Sequence, residues 1–187
     1  MSEPAYIPAL TYEDYLHLPD DGRRYELVEG DLFVTAAPVP KHQRVVIRLI
    51  YALEGWAEAT GGGEVLTAPL DVLLAPNTVV QPDVVVVLAA HADRVSERGI
   101  EGAPDLVIEV LSERTRRHDE VVKRHLYDKY GVAEYWVIDR VVEAARVYRR
   151  PNGGTLERAE ELTLEGDDRL TSPLLPGFSV DLKKIFG

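Results

Sequence analysis

Two carboxylates sit where packing alone gives them no reason to be. Asp83 follows Val80-Gln81-Pro82 and opens the run Val84-Val85-Val86-Val87, and Glu109 lies inside Ala103-Pro104-Asp105-Leu106-Val107-Ile108-Glu109-Val110-Leu111. Near-continuous apolar, largely β-branched runs of this length read as strands buried on both faces. Strand alternation puts Val107 and Leu111 on the face of Glu109, with Ile108 and Val110 on the other. A buried carboxylate left unpaired is costly and tends to take up a proton. Two side by side repel each other unless a cation neutralises them. Hard oxygen donors of this kind suit Mg²⁺ or Mn²⁺, held by one or two carboxylates with water and a substrate phosphate. The alternative is that each carboxylate pairs with an arginine or a backbone donor.

Three further side chains are candidates for the same centre. Lys123 lies four residues after Asp119, which on the plainer reading is an exposed helical ion pair worth about 0.2–0.5 kcal/mol. It also lies four before Tyr127 and one from the inward line Val122 and Leu126, on the flank of the expected buried face. An extended lysine reaches the sheet from there and would orient an attacking water or stabilise charge on a phosphorus transition state. His42 continues the apolar stripe Val46, Leu49, Leu53 and Trp56 back to a helix's first turn, either as a satisfied core histidine or as a neighbour of the site. Glu29 precedes Gly30 at a turn. Asp71 and Gln81 are weaker candidates, because a polar residue at a strand end needs no function.

The elements that must position these groups follow in order. Thr11-Tyr12-Glu13-Asp14 has the spacing of a capping box, so a short helix starts there. Arg24–Val28 and Asp31–Thr35 flank Glu29-Gly30 as a hairpin. Lys41 to Thr60 is an amphipathic helix ended by Gly61-Gly62-Gly63. Glu64 to Ala75 reads as one strand, Pro82 to Leu88 as a second, and Pro104 to Leu111 as a third. Ala89 to Gly102 reads as a short helical connection. A helix from about His118 to Tyr130 ends at Gly131, and Val132 to Asp139 is another strand. Glu143 to Arg150 and Thr155 to Leu164 form a hairpin around Pro151-Asn152-Gly153-Gly154. Asp181 caps a last short helix. A central sheet covered on both faces is expected, made mixed by the outer hairpins.

With 187 residues, 45% hydrophobic and 28% charged, the chain suits one domain spanning 1–187, its core at about 41–139. The absence of cysteine excludes disulfides, thiolate zinc sites and cysteine nucleophiles. Met1 to Leu10 holds Glu3 and two prolines and lacks the apolar run of a signal peptide. No stretch approaches the roughly 20 apolar residues of a membrane span, so a cytoplasmic protein without membrane contact is expected. The net charge of -11 argues against a DNA coat protein, which needs a basic face. Positive charge is local: Arg114, Arg116, Arg117, His118, Lys123, Arg124 and Lys129 crowd one segment, either a solvated helix face or a patch for an anionic partner. Bound divalent cations would offset part of the acidity.

Pro82-Asp83 followed by Glu109-Val110-Leu111 resembles the PD-(D/E)xK signature of the restriction-endonuclease-like nucleases. The order helix, three strands, helix, strand between Lys41 and Asp139 is similar to that superfamily's core. Arg24-Tyr25-Glu26-Leu27-Val28-Glu29-Gly30, His42-Gln43, Gln81-Pro82-Asp83, Ala103 to Ser112, Gly131-Val132-Ala133-Glu134-Tyr135-Trp136 and Leu170 to Gly177 together resemble the bacterial Uma-two family of candidate endonucleases. The resemblance runs from about Tyr12 to Phe186. It implies a mixed α/β restriction-endonuclease-like fold and a metal-dependent endonuclease hydrolysing DNA phosphodiesters. Asp83 and Glu109 would hold Mg²⁺ or Mn²⁺, with Glu29 and His42 completing the site. DNA would meet Arg114, Arg116, Arg117 and Arg124. Leu111 stands where the superfamily pattern has lysine, and Lys123 matches a lysine displaced to the next helix. Leu111 and the acidic balance keep open a nuclease-fold binding or assembly module without turnover. A third reading is a metal-dependent hydrolase of a small phosphate ester. A homodimer is the default, since cutting a duplex needs two strands attacked.

Overall fold

The computed structural model describes residues 9–35 and 37–187. Residues 1–8, which carry most of the segment read above against a signal peptide, lie outside the described residues.

The capping box forms: the Thr11 hydroxyl and backbone both engage Asp14 at the start of α1 (Tyr12–Tyr15). β1 (Arg24–Val28) and β2 (Asp31–Thr35) pair antiparallel around Glu29 and Gly30, at φ 52° and 93°. The long helix α2 (Pro40–Thr60) starts one residue earlier than expected, with proline in its first turn, and ends at Gly61 in the left-handed conformation. Its buried stripe is His42, Val45, Val46, Leu49, Leu53, Trp56 and Ala57.

The stretch 64–75 departs from the single strand expected of it. It forms β3 (Gly63–Thr67) and β4 (Val72–Ala75), which belong to different sheets. The break falls at Ala68-Pro69-Leu70-Asp71, where proline offers no N–H to a ladder. β5 (Thr78–Val80) and β6 (Val84–Leu88) follow. The connection 89–102 is also more than helical. A 3₁₀ turn at Ala89–Arg94 leads into a small hairpin of β7 (Val95–Ser96) and β8 (Gly99–Glu101). β9 (Leu106–Val110) precedes a π-helical turn, His118–Lys123, that runs on into α3 (Arg124–Tyr130). β10 (Glu134–Asp139), β11 (Ala144–Arg149), β12 (Glu157–Thr163), β13 (Arg169–Thr171), β14 (Ser179–Asp181) and α4 (Leu182–Phe186) complete the chain. Asp181 does precede α4, but its side chain makes no cap hydrogen bond and pairs with Arg169 instead.

The central sheet has the order β12-β11-β10-β9-β6-β3, parallel between β9 and β10 and antiparallel elsewhere. The N-terminal hairpin does not extend it. β2-β1-β5-β4-β8-β7 form a second six-stranded sheet. On one face of the central sheet Val84, Val86, Leu106, Ile108, Val110, Trp136 and Ile138 pack with α2 and the C-terminal segment. On the other, Val85, Val87, Val107, Leu111, Tyr135 and Val137 pack with α3 and residues of the second sheet such as Val72, Val80 and Ile100. Among the described residues no helix is long and apolar enough to cross a membrane.

Candidate active site

Register alone brings the two carboxylates together. β6 and β9 pair Val84 with Ile108 and Val85 with Val107, so the next step of the ladder sets Asp83 across from Glu109. Residues directly opposite in an antiparallel pair project to the same side. Asp83 Oδ2 accepts the Val110 N–H at 2.8 Å, which fixes this geometry. Its Oδ1 lies 3.2 Å from His42 Nε2 and 3.4 Å from Arg24 Nη1. Burial alone would raise the Asp83 carboxyl, but His42, the Val110 N–H and Arg24 outweigh it and hold it below the ordinary aspartate value. His42 thus reaches round the end of the sheet from α2, where the apolar stripe begins.

Lys123 is buried, not flanking. Its ammonium donates to Glu109 Oε1 and to Glu26 Oε1, at 2.8 Å each, and lies 3.9 Å from Asp119 Oδ1. The expected inward residue Val122 is instead exposed, at 37%, and Val121 at 54%. The segment is a π-helical turn, a geometry often found at functional sites. The inward line through it is Asp119, Lys123 and Tyr127. Tyr135 OH donates to the Asp119 carbonyl at 3.0 Å and fastens the turn to the sheet, and Tyr127 OH donates to Glu109 Oε1 at 2.9 Å.

Three buried carboxylates, Glu26, Glu109 and Asp119, therefore surround one buried ammonium, and the fourth, Asp83, faces Glu109 with the Arg24 guanidinium beside it. Burial lifts Glu109 to about 8, against the pull of Lys123 and with the push of Asp119, Asp83 and Glu26. Burial likewise lifts Asp119 to about 6. Burial works against the charge on Lys123 as well, but Glu109, Glu26 and Asp119 outweigh it and hold the ammonium above its ordinary range. These groups line a cavity of about 700 Å³ bounded by β1, the 37–39 segment and the 112–115 loop.

A family model, Uma2, with the description "Putative restriction endonuclease", matches residues 12–183. The chain belongs to the Uma2 family. A solved structure from Anabaena variabilis, titled a putative nuclease belonging to DUF820, superposes with a TM-score of 0.77 at 20% identity. The superposition covers 95% of this chain and 97% of that one. At this identity the likeness speaks for the fold. No curated protein matches the chain.

Within this Uma2 fold the residues singled out in sequence separate clearly. Asp83, Glu109, Lys123 and His42 converge on one cavity. Glu29 does not. It occupies the β1–β2 turn, where its half-exposed side chain pairs with Lys129, because the left-handed turn conformation points it away from the sheet. Asp71 and Gln81 stand behind the site: the Gln81 N–H donates to Glu26 Oε1 and its amide to Asp71 Oδ1, at 2.8 Å each. Of the basic segment, Arg114 lines the cavity, while Arg116 is tied to Asp139 at 2.6 Å and Arg124 lies over the Tyr148 ring. Arg117 is exposed.

Glu26, Asp119, Arg24, Tyr127 and His118 were not among the site residues expected. Glu26 carried the same signal as Glu109, a carboxylate inside the apolar strand run Tyr25-Glu26-Leu27-Val28. His118 packs its ring on Phe33 at 4.6 Å, with Nε2 buried, without a hydrogen-bond partner among the described residues and 4.0 Å from Glu26 Oε2. Burial and Lys123 hold its pKa down.

The donor set suits a hard divalent cation. Among the described residues no group of three or more His, Cys, Asp and Glu is arranged as a ready metal cage. What the site offers instead is two facing carboxylates, one of which, Glu109, is raised to about 8, chiefly by its burial. Glu109 Oε1 takes both protein hydrogen bonds, leaving Oε2 without a protein donor among the described residues.

Proposed function

We propose that this Uma2 protein is a Mg²⁺- or Mn²⁺-dependent endonuclease that hydrolyses DNA phosphodiester bonds. The observation that carries the reading is the buried Lys123 ammonium between Glu109 and Glu26, in a cavity that Asp83 also lines. Asp83 and Glu109 are the residues that would hold the cation. When bound, it supplies a Lewis acid for the phosphoryl oxygens and lowers the pKa of the attacking water.

The chain's own groups divide the remaining work. Arg24, His42 and the Val110 N–H hold Asp83 ionised and fixed in direction. Tyr127 and Lys123 hold the Glu109 rotamer. A lysine acting as general base needs a lowered pKa, whereas Lys123 is kept protonated. Its part is therefore electrostatic: it orients the nucleophilic water and offsets charge gathering on phosphorus. Leu111, in the position where the superfamily carries lysine, is buried in the core, and Lys123 delivers the charge from the neighbouring helix. This favours turnover over an inert nuclease-fold module.

The test is cleavage of single-stranded and of plasmid DNA by purified protein with Mg²⁺ or Mn²⁺ and with EDTA, alongside Asp83→Ala and Glu109→Ala. Metal-dependent cleavage lost in both variants is expected. Equal cleavage by the variants removes the assignment, and cleavage of a chromogenic diester but never of DNA replaces it with a small-ester hydrolase.

A further inference from the structure

The surroundings of the carboxylates constrain the form in which DNA reaches them, an inference that rests on the nuclease reading above. The side chains of Asp83 and Glu109 are only 7% and 4% exposed, so a scissile phosphate has to enter the cavity. About 700 Å³ lies within the range of small-molecule pockets, room for a nucleotide or two but not for a paired helix. The wall is of two kinds. Val34, Pro38 and Val39 line it on the side of β2 and the start of α2, and both valines are about half exposed, at 54% and 48%. Arg24, Arg114 and Arg140 line it as well, with Glu113 among them.

A duplex offers a binding protein its phosphates and groove edges, and its affinity comes mainly from many lysine and arginine contacts. Three arginines among five carboxylates, on a chain of net charge -11, fall short of that. An unpaired strand offers base faces as well as phosphates, and a cavity lined by both apolar and cationic side chains matches that pair of chemistries. We propose that the DNA strand is unpaired where it is cut, with its bases against Val34, Pro38 and Val39 and its backbone towards Arg114 and Arg140.

Fluorescence anisotropy in EDTA compares one labelled oligonucleotide, alone and annealed to its complement, on the wild-type protein. The single strand is expected to bind at least about tenfold tighter. Equal or tighter duplex binding overturns the proposal. A second variant separates the wall from the fold. Val39 is the N-cap residue of α2 and makes no side-chain cap bond, so Val39→Ser supplies a cap in place of a methyl surface. It should weaken single-strand binding several-fold without lowering the unfolding temperature, and an unchanged single-strand affinity counts against the wall. Cleavage of the same two DNAs, and of a duplex with a central unpaired bubble, distinguishes the two claims. Rapid cutting of the fully paired duplex sinks the unpaired-strand proposal alone. Single-strand binding with no metal-dependent cutting of any of the three sinks the nuclease reading alone.

Discussion

Lys123 Nζ and Glu26 Oε1 meet at 2.8 Å across 97 residues of chain, joining the π-helical turn to the first strand of the second sheet. The contact makes the hairpin β1–β2 part of the cavity lining. Removing one partner of a buried ion pair costs about 3–5 kcal/mol, because the other is left uncompensated. Lys123→Met should lose that order of stability together with cleavage. Glu26→Gln combined with Lys123→Met should recover part of the stability but none of the activity. Denaturant unfolding of the two single variants and the double variant measures the coupling, and strict additivity would contradict a direct pair.

Glu26 and Glu29 stand three residues apart and should behave in opposite ways. Glu29→Asn removes the surface pair with Lys129, worth below about 1 kcal/mol, and suits the left-handed backbone at φ 52°. Its cleavage rate and midpoint of unfolding should stay near wild type. Glu26→Ala should lose activity at saturating metal. A Glu29 variant that fails to cut would return that residue to the site.

Glu109 titrates near 8 in the fold and near 4.5 as an ordinary glutamate. A carboxyl raised in this way contributes stability that is fully present below its unfolded value and is lost as pH rises through its folded value. The metal-free protein should therefore weaken between about pH 4.5 and 8. Glu109→Gln keeps the shape and drops the charge. It should outlast the wild type in thermal unfolding at about pH 8.5 in EDTA, by something on the order of a few kcal/mol. The two curves should converge near about pH 5.

Divalent metal reverses that balance. A ligand bound only by the folded state stabilises it by about 2.7 kcal/mol at a hundredfold excess over Kd. Mn²⁺ or Mg²⁺ should raise the melting temperature of the wild type and leave Asp83→Ala unmoved. Because Glu109 has to give up its proton first, binding below about pH 8 should release protons. Calorimetry in two buffers of different ionisation enthalpy reads this directly, and buffer-independent heats would mean that Glu109 takes no part.

The cap missing from α2 gives a prediction independent of function. Val39→Ser should stabilise the fold by about 0.5–2 kcal/mol, the usual worth of an N-cap hydroxyl, provided the backbone already has cap geometry. It does, with φ −82° and ψ 159°. A loss of stability on thermal unfolding would show that the valine is packed in a way its 48% exposure does not suggest.

Local pattern settles a good part of this molecule. Alternation told which side of β9 carries Glu109, the stripe of α2 located His42 at its buried start, and the Glu29-Gly30 turn located the first hairpin. Each rests on a period that neighbouring residues themselves set. Two carboxylates in neighbouring apolar runs suggested the pairing of Asp83 with Glu109, and the β6–β9 register gives it physical form. What stayed hidden depends on contacts between distant segments. Glu26 sits in a strand as apolar as that of Glu109, yet only the stacking of a second sheet tells which face of β1 meets Lys123. The break of 64–75 into strands of two sheets follows from where β6 and β5 pair, which no local propensity encodes. Lys123 itself reads as a flank residue in sequence because Val122, which is exposed, falls on the expected inward line. The π turn that buries it is stabilised by Tyr135 and by the carboxylates it serves, all supplied by tertiary structure.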